Sequence, residues 1–273
     1  MKISRRKFLF TSIGLAIIGF LTDWFWEIFF IKFQHFYLGK ADKGKDNIKL
    51  IQVSDLHLQS LHFGIRQMCH QINALQPDLI CFTGDSVDKA ENLNLLEDFL
   101  KLLDYKIAKV AILGNWEYWG KINLSALTQL YQKYNIRLLV NENQLFTLKN
   151  KKFLITGTDS SLGGKADYLE AIESHELFDY HIVMTHCPAY RDYIVQDYEA
   201  QPKIDLILAG HTHGGQINIL GYTPFLPQQS KPYVSGWYKE KEPIMFVSKG
   251  IGTSIAPLRL GARAEVCVFE WII

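Results

Sequence analysis

IKLIQVSDLH at residues 48–57 and LICFTGD at residues 79–85 share one plan: a short apolar run that stops abruptly at an aspartate. The plan recurs along the chain. The run at 110–113 stops at Gly114-Asn115, the run at 182–185 at His186, and the run at 204–209 at Gly210-His211. Between these runs the apolar spacing changes from strand-like to helical. Ile65, Met68, Cys69, Ile72 and Leu75 fit one helix face and stop before Pro77; Leu93, Leu96, Phe99, Leu100 and Leu103 fit a second; Leu124, Leu127, Tyr131 and Tyr134 fit a third. Further strands are expected at 136–140, 244–248 and 264–271, with a hairpin turning at Asn150 between 145–148 and 153–155. Alternating strands and helices make an α/β architecture, in which ligand sites collect at the carboxyl ends of strands.

The residues at those ends carry the chemistry. In an extended Asp-x-His segment, Asp55 and His57 lie on one side because side chains alternate with period two. Gly84 lets the backbone approach a ligand beside Asp85. His186 precedes Pro188, and His211 and His213 again share a side, with Gly210, Gly214 and Gly215 leaving room. Singly, a strand-end aspartate is a cap or turn residue and a lone histidine a surface or core residue. The ordered set of seven is what points to metal. Carboxylate, amide and imidazole donors together suit Mn, Fe or Zn and argue against a thiolate site. His35, His62, His70, His175 and His181 fit no motif and are read as structural. Cys69, Cys81, Cys187 and Cys267 lack C-x-x-C spacing and are read as unpaired, mostly as small hydrophobes in apolar runs.

Composition bounds the rest. The 273 residues are 48% hydrophobic and 21% charged, enough for a membrane-proximal segment and one domain. Lys and Arg number 29 against 28 Asp and Glu, and a net charge of +1 supplies no field for nucleic acid. The N-terminus carries Lys2, Arg5, Arg6 and Lys7, then apolar residues 8–21, then Asp23 and Glu27 within an aromatic stretch at 24–33. This reads as an uncleaved anchor over residues 1–38 with Trp24 and Trp26 at an interface. An amphipathic helix lying on the membrane surface is the alternative. Residues 4–9, SRRKFL, also resemble a twin-arginine export signal. Polar residues 39–47 read as a linker and 48–273 as the catalytic domain.

The order D-x-H, G-D, G-N-x-E, T-H-C-P and G-H-T-H-G-G over residues 48–273 resembles the calcineurin-like metallophosphoesterase superfamily. HTHGGQ at 211–216 and VSKGIGTSIAPLRLGARAEVCVFE at 247–270 are similar to its bacterial membrane-associated branch. The resemblance implies two mixed β-sheets packed face to face with flanking helices, a four-layer sandwich. It implies two divalent ions, Mn, Fe or Zn. Asp55, His57, Asp85 and His213 would hold one, and Asp85, Asn115, His186 and His211 the other, with Asp85 bridging. It implies a hydrolase of phosphate esters or anhydrides, with Asp85 and Asn115 taking part in catalysis.

One position departs from the family. The usual G-N-H-D/E is here Gly114-Asn115-Trp116-Glu117, so Trp116 replaces the histidine that protonates the leaving oxygen. Indole can donate a hydrogen bond but cannot deliver a proton. Three readings stay open: Glu117 is the acid; the leaving group needs no proton, as in a phosphoanhydride; or the chain is a non-catalytic metal-binding relative. The second has a counterpart in the UDP-2,3-diacylglucosamine pyrophosphatases of lipid A biosynthesis, whose amphiphilic substrate suits a membrane-bound enzyme. An exported envelope phosphodiesterase or phosphatase is the rival, favoured by the export-like signal. The domain is extracytoplasmic if that signal is used, and otherwise on the cytoplasmic face of the inner membrane. Phe225, Tyr233, Trp237 and Tyr238 lie in a Pro-punctuated loop that would cover the site or simply pack.

Overall fold

A computed structural model describes residues 5–39, 47–196, 202–240 and 242–272. Helix α1 (Arg5–Phe29) leads into strand β1 (Lys32–Leu38), followed by β2 (Asn47–Val53), α2 (Phe63–Leu75), β3 (Leu79–Thr83), α3 (Leu93–Leu100), β4 (Ala108–Ile112), α4 (Asn115–Trp119), α5 (Leu124–Lys133) and β5 (Ile136–Leu138). These strands form one six-stranded sheet in the order β1-β12-β2-β3-β4-β5, closed by the last strand, β12 (Glu265–Ile272). The intervening chain gives β6 (Glu142–Leu148), β7 (Lys151–Gly157), α6 (Tyr168–Ile172), β8 (Tyr180–Met184), α7 (Arg191–Ile194), β9 (Leu206–Ala209), β10 (Gly236–Tyr238) and β11 (Met245–Val247). They build a second sheet in the order β10-β11-β9-β8-β7-β6. Both sheets are mixed. The β2-β3-β4-β5 and β11-β9-β8-β7 neighbours are parallel, whereas β12–β2, β6–β7 and β10–β11 are antiparallel.

The apolar runs are continuous because the central strands are covered on both faces. In β3, Leu79 and Cys81 point to the second sheet and meet Phe153, Ile155, Ile182, Met184, Leu206 and Leu208. Ile80 and Phe82 point the other way, against Ile65, Met68 and Ile72 of α2, Leu96 and Phe99 of α3 and Leu127 of α5. On the far side of the second sheet, Val183, Ile207 and Val247 pack on Tyr168, Ile172 and Ile194. These four layers are the expected sandwich. Helix α2 stops where Gln76 takes a left-handed φ of 44° ahead of Pro77. Helix α5 starts where Asn123 Oδ1 accepts from the Ala126 N–H, satisfying a free helix-end donor.

One expected boundary is corrected. Residues 32–38, assigned to the anchor, form β1, an edge strand in parallel register with β12 from Lys32↔Glu265 to Leu38↔Trp271. Phe36 of this strand packs on Trp237, Phe246 and Phe269. The sheet therefore begins before the expected start at 48. The expected linker falls mostly on residues 40–46, and Lys2 and Ser4 of the expected signal fall at the extreme N-terminus; all lie outside the described residues. Among the described residues, α1 is the one helix long and apolar enough to cross a membrane. Its 25 residues span about 37 Å, against about 30 Å of bilayer hydrocarbon. All four cysteines are free and buried.

His181 shows what this core asks of a buried imidazole. It lies in β8, wholly buried, with Nε2 2.8 Å from Thr156 Oγ1. Burial lowers its pKa from 6.5 to about 4. The unfolded chain thus binds a proton between pH 6.5 and 4 that the folded chain refuses. The contribution is fully present above pH 6.5 and is lost as pH falls through 4, roughly 3 kcal/mol in all. Urea unfolding in detergent at neutral pH and near pH 4 should show His181→Gln losing less stability on acidification than the wild type.

Candidate metal centre

Seven ligand-type residues meet where the carboxyl ends of both sheets converge. Asp55 and His57 follow β2, Asp85 follows β3, Asn115 begins α4 after β4, His186 follows β8, and His211 and His213 follow β9. Gln52 ties the two sheets just beneath them, its Nε2 donating to Thr83 Oγ1 at 3.0 Å and to the Ala209 carbonyl at 2.9 Å. All seven residues are buried. Asp55, His57 and His213 form one group of close donor atoms, and Asp85, His186 and His211 a second. Asp85 Oδ2 lies 3.1 Å from His186 Nε2 and 3.5 Å from His57 Nε2, so one carboxylate oxygen faces both groups. Asn115 Oδ1 is 3.1 Å from His186 Nε2.

The backbone is bent to make this cluster. Asp55 (φ 51°), His57 (39°), Asp85 (53°), His211 (73°) and His213 (51°) all lie in the left-handed region. Non-glycine residues visit that region rarely and at a cost, and such strain gathers at functional sites. Gly114 is required by close approach: a Cβ there would collide with the Asp85 carboxylate and backbone.

Neighbouring groups set the tautomers. The Nδ1–H of His57 donates to Asp88 Oδ1 and that of His186 to the Thr83 carbonyl at 2.8 Å, which leaves Nε2 of each as the lone-pair atom. His211 Nε2–H donates to the Gln228 carbonyl at 2.7 Å, leaving its Nδ1. A carboxylate or carbonyl behind a ligating imidazole fixes its orientation and raises its basicity. His57 Nε2 and His213 Nε2 are only 3.0 Å apart. Two ring nitrogens meeting at this distance can serve one cation as ligands once neither carries a proton. The donor set, with carboxylates and imidazoles in each group, therefore fits two divalent ions.

The electrostatics agree. Burial would raise Asp85, but the charges of His186 and His57 and the Trp116 N–H hold its carboxyl well below the usual range. Burial would lower His186 and His57. The Asp85 carboxylate outweighs it at His186, and the Asp88 hydrogen bond with Asp85 outweighs it at His57, so both pKa values rise. A potential that draws a proton to these rings also draws a cation. Burial raises Asp55. His211 is lowered to about 4, by burial and then His186. Burial and the charges of His57 and Arg259 hold His213 well below its usual pKa, keeping it in the neutral form a cation can use.

Against this geometry, the chain matches the calcineurin-like phosphoesterase profile over residues 48–215. The chain belongs to the calcineurin-like phosphoesterase family. It is similar along nearly its whole length to the metallophosphoesterase YkuE of Bacillus subtilis, 29% identical over 98% of this chain and 97% of that one. A metallophosphoesterase of Aquifex aeolicus is 30% identical over 89% and 92% of the two chains. The phosphodiesterase YaeI of Escherichia coli is 28% identical over 99% and 100%. Among solved structures, GAP50, the anchor in the inner membrane complex of Plasmodium, superposes with a TM-score of 0.52 at 12% identity over 82% of this chain and 81% of that one, a likeness of fold alone.

Around the centre of this metallophosphoesterase, Trp116 and Glu117 separate in role. The Trp116 backbone N–H donates to Asp85 Oδ1 at 2.8 Å, and its indole faces the His57 ring edge-on at 6.0 Å between centroids. Glu117 points beneath the site. Its carboxylate accepts from the backbone N–H groups of Ser86 (2.7 Å), Gly114 (2.8 Å) and Asp85 (3.1 Å). Burial and then the Asp85 charge raise its pKa to about 7. The geometry makes Glu117 a brace for the Asp85 and Asn115 loops. Its expected role as the acid meets a side chain already engaged with backbone.

A cavity of about 470 Å³ opens on Asp85, Asn115, His211 and His213 and is lined besides by Trp116, Trp119, Ile217, Leu226 and Leu258. Its size is that of a small-molecule site. Of the four loop aromatics, Phe225 reaches this cavity. Trp237 packs in the inter-sheet core, Tyr233 hydroxyl donates to Asp192 Oδ1 at 2.6 Å, and Tyr238 hydroxyl accepts from the Val234 N–H at 2.6 Å. Asp88 escaped the motif reading; an acid three residues beyond Asp85 was its only trace. Asp88→Asn should weaken metal binding by about 10–100-fold, read as a shift in the metal concentration that restores activity to chelated protein.

Proposed function

We propose that this hydrolase cleaves a phosphodiester or phosphoanhydride of an amphiphilic, membrane-held substrate while anchored by α1. The observation that carries this reading is the largely apolar cavity opening on the ligand cluster. In the proposed assignment Asp55, His57, Asp85 and His213 hold one ion, and Asp85, Asn115, His186 and His211 the other. Two divalent ions, when bound, supply Lewis acidity to phosphoryl oxygens and lower the pKa of water. Asn115 turns its amide oxygen to the His186 side, which leaves its NH₂ to donate to a phosphoryl oxygen. The apolar lining seats an acyl or isoprenoid chain and excludes water. With indole at position 116, the leaving group departs as a stabilised anion.

UDP-2,3-diacylglucosamine, a step of lipid A biosynthesis, fits that chemistry on the cytoplasmic face of the inner membrane. An envelope phosphodiester is the second reading, favoured by the Escherichia coli relative that is named a phosphodiesterase and by the twin-arginine-like N-terminus. In detergent with Mn, Fe or Zn, the full chain should turn over nucleotide-diphospho-lipids or bis(p-nitrophenyl) phosphate and leave alkyl monoesters nearly untouched. Metal-loaded protein inert toward all three would leave the non-catalytic metal-binding reading. Protease accessibility in intact spheroplasts decides the side, a protected domain being cytoplasmic.

A further inference from the structure

We infer that the catalytic domain does not hang free from its anchor but lies against the bilayer through two loops, 216–225 and 254–258, which bring the cavity mouth to the lipid surface. This rests on the reading of α1 as a membrane anchor.

The base of α1 is fastened to the domain on two sides, by Phe29 and Phe30 against Phe63 at the start of α2 and by hydrogen bonds to residues 257–263. Trp24 Nε1 donates to the Pro257 carbonyl at 2.6 Å. The Glu27 carboxylate accepts from the Gly261 N–H at 2.8 Å and the Ala262 N–H at 3.2 Å. Arg263 donates to the Phe30 carbonyl at 2.7 Å and stacks its guanidinium over Trp26. The same 254–258 segment lines the cavity through Ser254, Ile255, Ala256 and Leu258. Residues 254–258 are thus active-site wall, while Pro257 within them and residues 261–263 just beyond seat the helix.

Gln216 joins the second loop to it. Its Nε2 donates to the Ala256 and Leu258 carbonyls, both at 3.1 Å, and its Oε1 accepts from the Ser254 N–H at 2.6 Å. Beyond it, Ile219 and Tyr222 exchange backbone hydrogen bonds around a two-residue turn, Leu220-Gly221, with φ of 53° and 93°. Turns with both central residues at positive φ favour Asn-Gly or Asp-Gly. Here the first place is taken by a leucine whose side chain is fully exposed. Ile255 repeats the anomaly: a β-branched residue at φ 63°, also fully exposed. For such a residue, positive φ is a genuine outlier. Ile219, Tyr222 and Phe225 beside them are exposed too.

In water these positions are unfavourable twice, by backbone strain and by apolar exposure. Against a bilayer the exposure becomes burial, and an apolar patch of this kind marks an interaction site. The occupant is lipid because the patch continues into the base of an apolar helix that the domain leaves uncovered. Tyr222, Trp24 and Trp26 supply the aromatics suited to that depth.

The test uses the full chain in vesicles of equal parts phosphatidylcholine and phosphatidylglycerol. The native cysteines are buried, so an environment-sensitive fluorophore can be placed specifically at Leu220→Cys, at Ile255→Cys and, as control, at Leu177→Cys. Leu177 is exposed just before β8, at the sheet end away from the metal centre. Hydrolysis of bis(p-nitrophenyl) phosphate by the Leu220→Cys and Leu177→Cys proteins confirms that they fold. Spin-labelled lipid should quench the two loop labels several-fold more than the control, and aqueous iodide should do the reverse. Protein that floats with vesicles but shows equal iodide quenching at all three sites overturns the inference and leaves the anchor standing. Loop labels shielded from both quenchers mean that a protein partner or second copy covers the patch, which also overturns it. Protein that fails to float removes the anchor reading itself.

Discussion

Asp85→Ala should strip both metal ions and take hydrolysis below detection. No other ligand has its reach, with one carboxylate oxygen 3.1 Å from His186 Nε2 and 3.5 Å from His57 Nε2. Removing it takes a negative charge from both halves of the centre at once. The two rings whose proton affinity it raises then lose the field that draws a cation. His57→Ala, by contrast, deletes a donor from one group only and should lower the metal content by about half, since a bridged pair of ions is otherwise held by separate side chains. Elemental analysis of the purified proteins, with circular dichroism to confirm folding, separates the outcomes. Two tightly held ions in Asp85→Ala would refute the bridging assignment.

Trp116→His should raise turnover of alkyl phosphodiesters and monoesters by up to about 10²–10⁴-fold, the usual worth of general acid catalysis. Anhydrides and p-nitrophenyl esters should change by far less, because their leaving groups depart as stable anions. The position is prepared for such an exchange. The backbone at 116 is held by Asp85, and the side chain already borders both the cavity and His57. The measurement is the ratio of kcat for an alkyl and an aryl diester in the two proteins. A wild type that already hydrolyses alkyl phosphates briskly has another proton donor. Glu117→Gln then tests the remaining carboxyl, although the three backbone hydrogen bonds to Glu117 predict that this variant disturbs folding or ligand position first.

Much of the centre was legible before any coordinates because its information is local. A strand buried on both faces reads as an unbroken apolar run, so a polar residue at its end stands out, and five such ends in order carried the candidate ligands. The left-handed φ at five of those ligands was not legible. Only Gly84, Gly210, Gly214 and Gly215, scattered among them, hinted that the backbone turns sharply there.

Other features depend on neighbours distant in the chain. Lys32–Leu38 follows an apolar helix and reads as more anchor, yet it is a strand because β12, more than two hundred residues later, offers an open edge in parallel register. Glu117 sits next to the position where the family's proton donor is expected. Which way its carboxylate turns was decided by three N–H groups, two of them from the loop after β3. Trp237 lies in a loop rich in proline and reads as a possible cover for the site, but Phe36 and Phe246 draw it into the core. By itself the sequence determined the layers, the row of candidate ligands at the strand ends and the indole at 116, since periodicity and residue type are properties of short segments. Tertiary structure decided the sheet edge, the brace at Glu117, the Asp88 partner of His57 and the join between α1 and the cavity wall, because each is a contact whose partner no local pattern names.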